Sequence, residues 1–495
     1  MKLYNTMSRT VEEVVPREAN RIGLYACGFT VYDFTHLGHL RKYALDDVLV
    51  RTLRQSGFEV KFVQNVTDVG HLASDADTGE DKLEKGAQKY GKTVWEIAKE
   101  FEAYFFRSMD LMGNLRPDIS CRATEHIEAQ LKMVVGLEQK GYTYVIPNDG
   151  VYFDTSKFPD YGKLARLRLH ELEEGARVEP VPGKRNPTDF ALWKFERSGE
   201  NRAMVWESPW AKRSFPGWHI ECSAMAMQYL GEQFDVHTGG IDHIPVHHTN
   251  EIAQAEALTG KVPFVKYWVH HNHLHVDGQK MSKSLGNFFT IDDVLKRGYA
   301  PAALRLLFLS THYRSEMNFM WEALAGAQKS WERLIRLTRE LRAETERTVL
   351  SPEKLTKIEA YRQRFFAYMH DDLKTPEAVA LLWEVVKSNI PGPDKYDLLV
   401  SFDEVLGLGL AKVATSDATG DVAAPLSAAE VSALPAPMQQ LLREREQARA
   451  AKDWAKADAL RQELATAGLE VVDQVGAAPV IKRTINVLNP EASSG

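Results

Sequence analysis

The chain has 495 residues, 44% of them apolar, with 61 basic and 68 acidic side chains and a net charge of −7. That leaves room for about three domains at roughly 150 residues each, an ordinary core, and no global positive excess of the kind that marks a general nucleic-acid binder. No apolar run reaches the roughly 18 residues of a membrane span, Met1-Lys2-Leu3-Tyr4 does not begin a signal peptide, and three cysteines cannot build a disulfide framework, so a cytoplasmic protein with reduced thiols is expected.

Residues 21–27 are apolar and β-rich, 40–55 carry helical spacing, 59–66 read as a second strand and 94–112 as a second helix. This βαβ alternation predicts a parallel, nucleotide-binding sheet. Within it, 74–89 is charged and Gly-containing and reads as a mobile loop. From 141 to 216 Gly and Pro rise, and 151–154 reads as a strand in a small mixed insert. Strand–helix alternation returns over 218–289, so the insert splits the sheet. Beyond Pro301, residues 302–310, 321–344, 352–369 and 376–388 are amphipathic helices, 414–437 has linker composition, and 443–464 carries mixed charge in a last helix pair or mixed module. The expected class is α/β. A split Rossmann-like parallel-sheet domain (1–135 and 217–300) surrounds a connective insert (136–216), followed by a helical bundle (301–412), a linker (413–437) and a small C-terminal module (438–495).

Two short motifs carry chemistry. His36-Leu37-Gly38-His39 follows the first strand and opens a helix, a turn that aims backbone N–H groups and imidazoles at an anion. Lys280-Met281-Ser282-Lys283-Ser284 places two ammonium groups behind Asp277-Gly278, where they follow a polyphosphate as charge develops on it. In this order they point to attack on the α-phosphate of ATP with pyrophosphate leaving.

Cys27 ends the first strand, Cys222 lies in Gly217-Trp218-His219-Ile220-Glu221-Cys222, and His247 and Glu251 are four apart on one helical face. Two thiolates, an imidazole and a carboxylate form a plausible tetrahedral zinc set. The same residues also read as two core cysteines beside an ordinary surface pair, because no CxxC or HExxH anchors them. Cys121 has no such company and reads as a packed or partly exposed thiol.

The runs at 25–33, 36–39, 217–225, 239–242 with 247–251, and 280–287 together resemble the cysteinyl-tRNA synthetases, class I aminoacyl-tRNA synthetases, over essentially the full length; the run at 448–458 is similar to that family's anticodon-binding module. The resemblance implies one active-site zinc on Cys27, Cys222, His247 and Glu251 that takes the substrate thiolate, with Mg2+ accompanying ATP. It implies catalytic roles for His36, His39, Lys280 and Lys283, and ATP contacts from Gly38, Gly239, Gly240, Asp242 and Lys283. Thr30, Trp218 and His219 are candidate substrate contacts, with Trp218 reading equally as a core aromatic, and Arg449, Lys452, Trp454, Lys456 and Arg461 are candidate tRNA contacts whose charges a solvated amphipathic helix would also show. The implied partners are L-cysteine, ATP and tRNA(Cys), for a monomer with no membrane association.

Serine differs from cysteine by one atom, and an apolar pocket rejects such a near-isostere by only about a hundredfold, so a metal that prefers thiolate removes the need for a proofreading domain. Four departures from the family pattern stand out: Leu37 for the usual Ile, Thr249 for a common Glu, a longer loop at 70–82, and a C-terminus at 478–483 without the Thr-Thr-Trp ending. Rival readings are an ATP-dependent cysteine:amino-sugar ligase of the mycothiol pathway, a zinc-free nucleotidyltransferase, and a non-catalytic RNA-binding paralogue. The long helical tail speaks against the first, and intact His36, His39, Lys280 and Lys283 against the last.

Overall fold

The computed structural model describes residues 1–70, 81–167, 182–282, 285–415, 431, 434–451, 453–466, 469–474 and 477–483. It opens on an antiparallel pair, β1 (Lys2–Asn5) and β2 (Thr10–Glu13), then enters the central sheet with β3 (Arg21–Thr30), α1 (Leu37–Gln55), β4 (Glu59–Thr67), α2 (Lys82–Tyr90), α3 (Val94–Leu111), β5 (Ile119–Arg122) and α4 (Ile127–Gln139). The insert contributes β6 (Thr143–Ile146), β7 (Gly150–Phe153), β8 (Phe190–Phe195) and β9 (Ser214–Pro216), all paired antiparallel in that order. The sheet resumes with α5 (Trp218–Leu230), β10 (Phe234–Gly240), α6 (His247–Thr259) and β11 (Val265–His271).

The central sheet is parallel throughout, in the order β11-β10-β3-β4-β5. From β3 the chain winds outward one way through β4 and β5, and later the other way through β10 and β11. The switch point between β3 and β10 is where open α/β sheets leave a crevice beyond the strand carboxyl ends. Side-chain parity sets what each face of β3 meets. Ile22, Leu24 and Ala26 join the core with Leu45, Val48 and Leu49 of α1, while Tyr25 and Cys27 face the opposite core with Ile220, Cys222 and Met225 of α5. Cys27 and Cys222, far apart in sequence, thus share one side of the sheet.

Gly28 sits where β3 shifts register against β4, between Ala26 and Phe29. A Cβ there would lie 1.5 Å from the Asn65 carbonyl oxygen, so only glycine fits. Gly28→Ala is expected to cost about 3 kcal/mol or more through forced backbone movement; a denaturant midpoint equal to that of the unchanged chain would contradict this.

The stretch read as a mobile loop at 74–89 is helical over its second half. Asp81 caps α2 by accepting from the Leu83 and Glu84 N–H groups, and Gly91 ends it at φ 63°. These start and stop signals outweigh the charge density on which the loop reading rested; residues 71–80 lie outside the described residues.

After β12 (Leu274–Val276) and β13 (Gln279–Lys280) come α7 (Ile291–Lys296), α8 (Pro301–Leu309), β14 (Met317–Phe319) and the helices α9 (Trp321–Ala343), α10 (Pro352–His370), α11 (Thr375–Lys387), α12 (Gly392–Leu406) and α13 (Leu410–Thr415). Proline in the first turn of α8, α10, α11 and α12 supplies preset φ where no N–H partner is needed. Phe365 and Phe402 stack 4.0 Å apart in the bundle core. Fully buried Arg305 ties α8 to α1 through Asp47 (2.5 Å) and to the end of α12 through the Leu406 carbonyl (2.6 Å).

The chain divides into two units, Met1–Ala414 and Thr415–Gly495. In the second, α14 (Ala436–Ala450) and α15 (Trp454–Thr466) pack with an antiparallel hairpin, β15 (Leu469–Gln474) and β16 (Ala477–Arg483), around Leu434, Leu464, Leu469 and Val471. Among the described residues no helix is long and apolar enough to cross a membrane.

Candidate metal centre and nucleotide site

A cavity of about 360 Å3 opens at the switch point of the sheet. Its walls include Cys27, Thr30, His36, Gly38, His39, Trp218, Cys222, Gly240, Asp242, His247 and Lys280, so most of the residues singled out in the sequence meet in one space. Glu251, Gly239 and His219 lie outside this lining, and Lys283 and Lys452 lie outside the described residues.

At one end sits a buried donor cluster. One ligand atom from each of Cys27, Cys222, His247 and Glu251 lies within 4.8 Å of the others, and so do those of a second set, Cys27, His237, His248 and Glu251. The two sets share Cys27 and Glu251, but only the first has further donors, Cys222 and His247, on the cavity wall. Donor chemistry and mutual distance both fit a metal ion.

Glu251 gathers the cluster. Its Oε1 lies 3.0 Å from His247 Nε2 and its Oε2 2.9 Å from His237 Nε2. Burial works against charge on His247, yet the Glu251 carboxylate and the Cys27 sulfur hold its imidazole up at about 10. Burial likewise opposes ionisation of Cys27, but a hydrogen bond from Cys222 and the neighbouring His248, His237 and His247 draw it well below the ordinary thiol range. Cys222 moves the other way, raised by its bond to Cys27 and by burial.

A hydrogen-bonded chain orients the cluster from behind. His248 Nε2 is 3.3 Å from the Cys27 sulfur, its Nδ1 is 2.8 Å from His270 Nε2, and His270 Nδ1 is 2.7 Å from the Thr6 hydroxyl. His219 stands behind His247, Nδ1 to Nδ1 at 3.0 Å, and orients that ring. Trp218 covers His247 from the cavity side, ring centroids 4.4 Å apart. Gly239 makes room: a Cβ there would meet the His248 ring at 2.4 Å. The sequence reading passed over His237 of β10, His248 of α6 and His270 of β11, which no local sequence signal singles out.

At the other end, α1 begins. The Gly38 N–H donates to His36 Nδ1 (3.1 Å) and the His36 N–H to His39 Nδ1 (3.4 Å), and the two rings stack 3.6 Å apart. Each Nδ1 accepts, so each neutral ring carries its proton on Nε2. Burial lowers His36 to about 4 and His39 well below its usual value. The unfolded His36 titrates near 6.5. Between there and about 4 the unfolded chain binds more protons, and stability rises with pH. Unfolding free energy is thus expected to fall as pH drops through that window, and denaturant midpoints of His36→Gln should be flatter across it.

The lysine-bearing hairpin is stitched to this turn. His275 pairs with Lys280, the Asn287 side chain accepts from the Ser282 N–H (2.7 Å) and donates to the Lys280 carbonyl (3.2 Å), and the Leu37 N–H donates to the Phe289 carbonyl (2.9 Å). Asp242 is exposed beyond β10, 3.3 Å from His273 Nε2. In the C-terminal unit, Arg449 lies over Trp454 at 5.6 Å, Trp454 is 57% exposed, and Arg461 pairs with Asp458; the Lys456 side chain is exposed.

Comparison with known proteins places this arrangement. The family described as tRNA synthetases class I (C) catalytic domain matches residues 13–329, and the cysteinyl-tRNA ligase anticodon binding domain matches 431–477. The chain is 45% identical over 474 residues to cysteine–tRNA ligase 1 of Burkholderia lata, covering 96% of this chain and 95% of that one.

The chain belongs to the cysteinyl-tRNA synthetase family.

Other members of that family stand at similar distance: cysteine–tRNA ligase of Deinococcus radiodurans is 42% identical over 95% of this chain and 94% of its own length, and that of Treponema denticola 40% identical over 96% and 98%. Among solved structures, Mycobacterium tuberculosis methionyl-tRNA synthetase in complex with methionyl-adenylate aligns at a TM-score of 0.55 and 14% identity, over 80% of this chain and 90% of that one, a likeness of fold. Like other cysteinyl-tRNA synthetases, the chain is a ligase.

Proposed function

We propose that this chain activates L-cysteine with Mg-ATP, releasing pyrophosphate, and transfers the cysteinyl group from the adenylate to the 3′-terminal adenosine of tRNA(Cys). The observation that carries the reading is the single cavity with sulfur-seeking donors at one end and phosphate-seeking donors at the other. Cys27, Cys222, His247 and Glu251 would hold a zinc ion, which when bound would favour a thiolate ligand over a neutral hydroxyl and so supply selection. Trp218 walls the amino-acid end. His36 and His39 present Nε2–H groups to the phosphates, and Lys280, with Lys283, balances charge on the leaving pyrophosphate. Asp242 and Thr30 line the same cavity, and in this reading Asp242 serves the ribose hydroxyls and Thr30 the amino-acid end. Arg449, Lys452, Trp454, Lys456 and Arg461 serve the anticodon arm, where an exposed indole beside a guanidinium offers a plane to an unstacked base. The match of 431–477 to an anticodon-binding family favours tRNA over a small amino-sugar acceptor.

The test is transfer of labelled cysteine to acid-precipitable tRNA in the presence of ATP and excess unlabelled serine. Charging that survives the serine is expected. Cysteine-dependent ATP–pyrophosphate exchange without charging would move the acceptor to a small amine, and silence in both assays would overturn the reading.

A further inference from the structure

Lys42 lies one turn beyond His39 on α1, and its side chain crosses the cavity wall to the metal end. Its ammonium donates to the Cys27 carbonyl at 2.8 Å, alongside the Tyr43 hydroxyl at 3.3 Å on the same oxygen. It forms an ion pair with Asp46 Oδ2 at 2.8 Å, and the other carboxylate oxygen, Oδ1, lies 2.7 Å from His271 Nε2. Asp46 and His271 are almost wholly buried, whereas the Lys42 side chain keeps 12% of its surface, and it lines the cavity. Among the described lining residues, Lys42 and Lys280 are the lysines, and there is no arginine. Lys280 belongs to the phosphate end; Lys42 stands where the two ends join.

We propose that Lys42 is a further substrate-binding residue, receiving the α-carboxylate of the amino acid, and that Asp46 and His271 position it. The proposal rests on the cysteine-activation reading above and deepens it. An ammonium has three N–H groups. The Cys27 carbonyl and the ion pair with Asp46 engage two of them and the Tyr43 ring centroid lies 4.4 Å from the nitrogen, which leaves an N–H for a ligand in the cavity that Lys42 lines. Only three bonds separate the sulfur of cysteine from its carboxyl carbon, so a substrate whose sulfur is held beside Cys27 presents its carboxylate to this part of the wall. In the activation step one carboxylate oxygen forms the bond to the α-phosphorus while the bond to pyrophosphate breaks and its electron pair leaves with pyrophosphate. No proton moves, so the ammonium holds the second oxygen throughout and fixes the attack direction. The bond to the Cys27 carbonyl also links the carboxylate contact to the strand that carries a metal donor.

The test compares L-cysteine with cysteamine, which keeps the thiol and amine but has no carboxylate, as ligands measured by calorimetry on the zinc-loaded enzyme. The unchanged chain is expected to prefer cysteine by roughly thirtyfold, the scale of one charge-assisted contact. In Lys42→Met that preference should shrink to within about threefold, with cysteamine affinity and zinc content unchanged; this is the readout that a merely structural lysine would not move. Lys42→Gln, which keeps a donor to the Cys27 carbonyl without the charge, carries the same comparison if the Met variant does not fold. A preference retained in full by the folded variants would overturn the proposal and leave the activation reading intact. Failure of both thiols to bind the unchanged enzyme would overturn the activation reading itself.

Discussion

Cys222→Ala is expected to yield a folded protein that no longer retains zinc and whose cysteine-dependent ATP–pyrophosphate exchange falls about a thousandfold, because a metal–sulfur contact worth about 4 kcal/mol in the transition state corresponds to three decades of rate. The side chain lies on the sheet-facing side of α5, in a core with Ile220, Met225 and Tyr25 that survives loss of one sulfur atom. Truncation there removes a donor and leaves a void of about one atom, for which about 1 kcal/mol of stability is the expected cost. The companion substitution is Cys121→Ala. That thiol is equally buried, but burial raises it to about 12, it points at the Gln64 carbonyl at 3.8 Å, and it belongs to neither donor set. Its loss should leave zinc content and exchange unchanged. Zinc per chain by mass spectrometry, read beside the exchange rate, separates the two cases. Near-normal exchange by metal-free Cys222→Ala protein would remove the metal from the proposed selection of cysteine.

The same pair of cysteines shows how far the sequence reaches. Strand parity can be counted in the sequence, so Cys27 at the end of an apolar run and His247 four residues before Glu251 were legible as candidate donors. That they converge depends on the winding of the sheet, which places β10 against β3 across nearly the whole catalytic region. The histidines behind them were not legible for the same reason. His237, His248 and His270 come from two strands and a helix; only the sheet order joins His248 and His270 into a chain from the Cys27 sulfur to Thr6 and sets His237 against Glu251. Lys42 and Asp46 follow ordinary i,i+4 helical spacing and drew no sequence reading; the contact of Asp46 with His271 on the far strand of the sheet shows how deeply the pair is set. Local signals did suffice where both partners lie close in sequence. The helix starts at Pro301 and Pro352 were visible, whereas the caps of α2, Asp81 and Gly91, went unread because charge density drew that stretch toward a loop.

His39→Ala is expected to lower kcat/KM for ATP in the exchange reaction by about two orders of magnitude, the cost of losing one preorganised donor to a developing phosphate charge, about 3 kcal/mol. What kind of donor matters follows from the turn itself. His39 Nδ1 accepts the His36 N–H, and burial and the neighbouring His36 keep the ring uncharged, so it offers a fixed neutral N–H at the helix N-terminus. In the proposed function the positive end of α1 and Lys280 of the hairpin supply the charge. His39→Asn, with an amide N–H in place of the imidazole N–H, should therefore recover roughly a tenth of the unchanged rate, ahead of His39→Lys, whose ammonium brings charge without the acceptor that closes the turn. Zinc content and cysteine affinity should be unaffected in all three, since the cluster lies at the other end of the cavity. If His39→Lys proved the most active, the imidazole would have to act as a cation, and the phosphates would be held by charge where the turn geometry assigns them to oriented neutral donors.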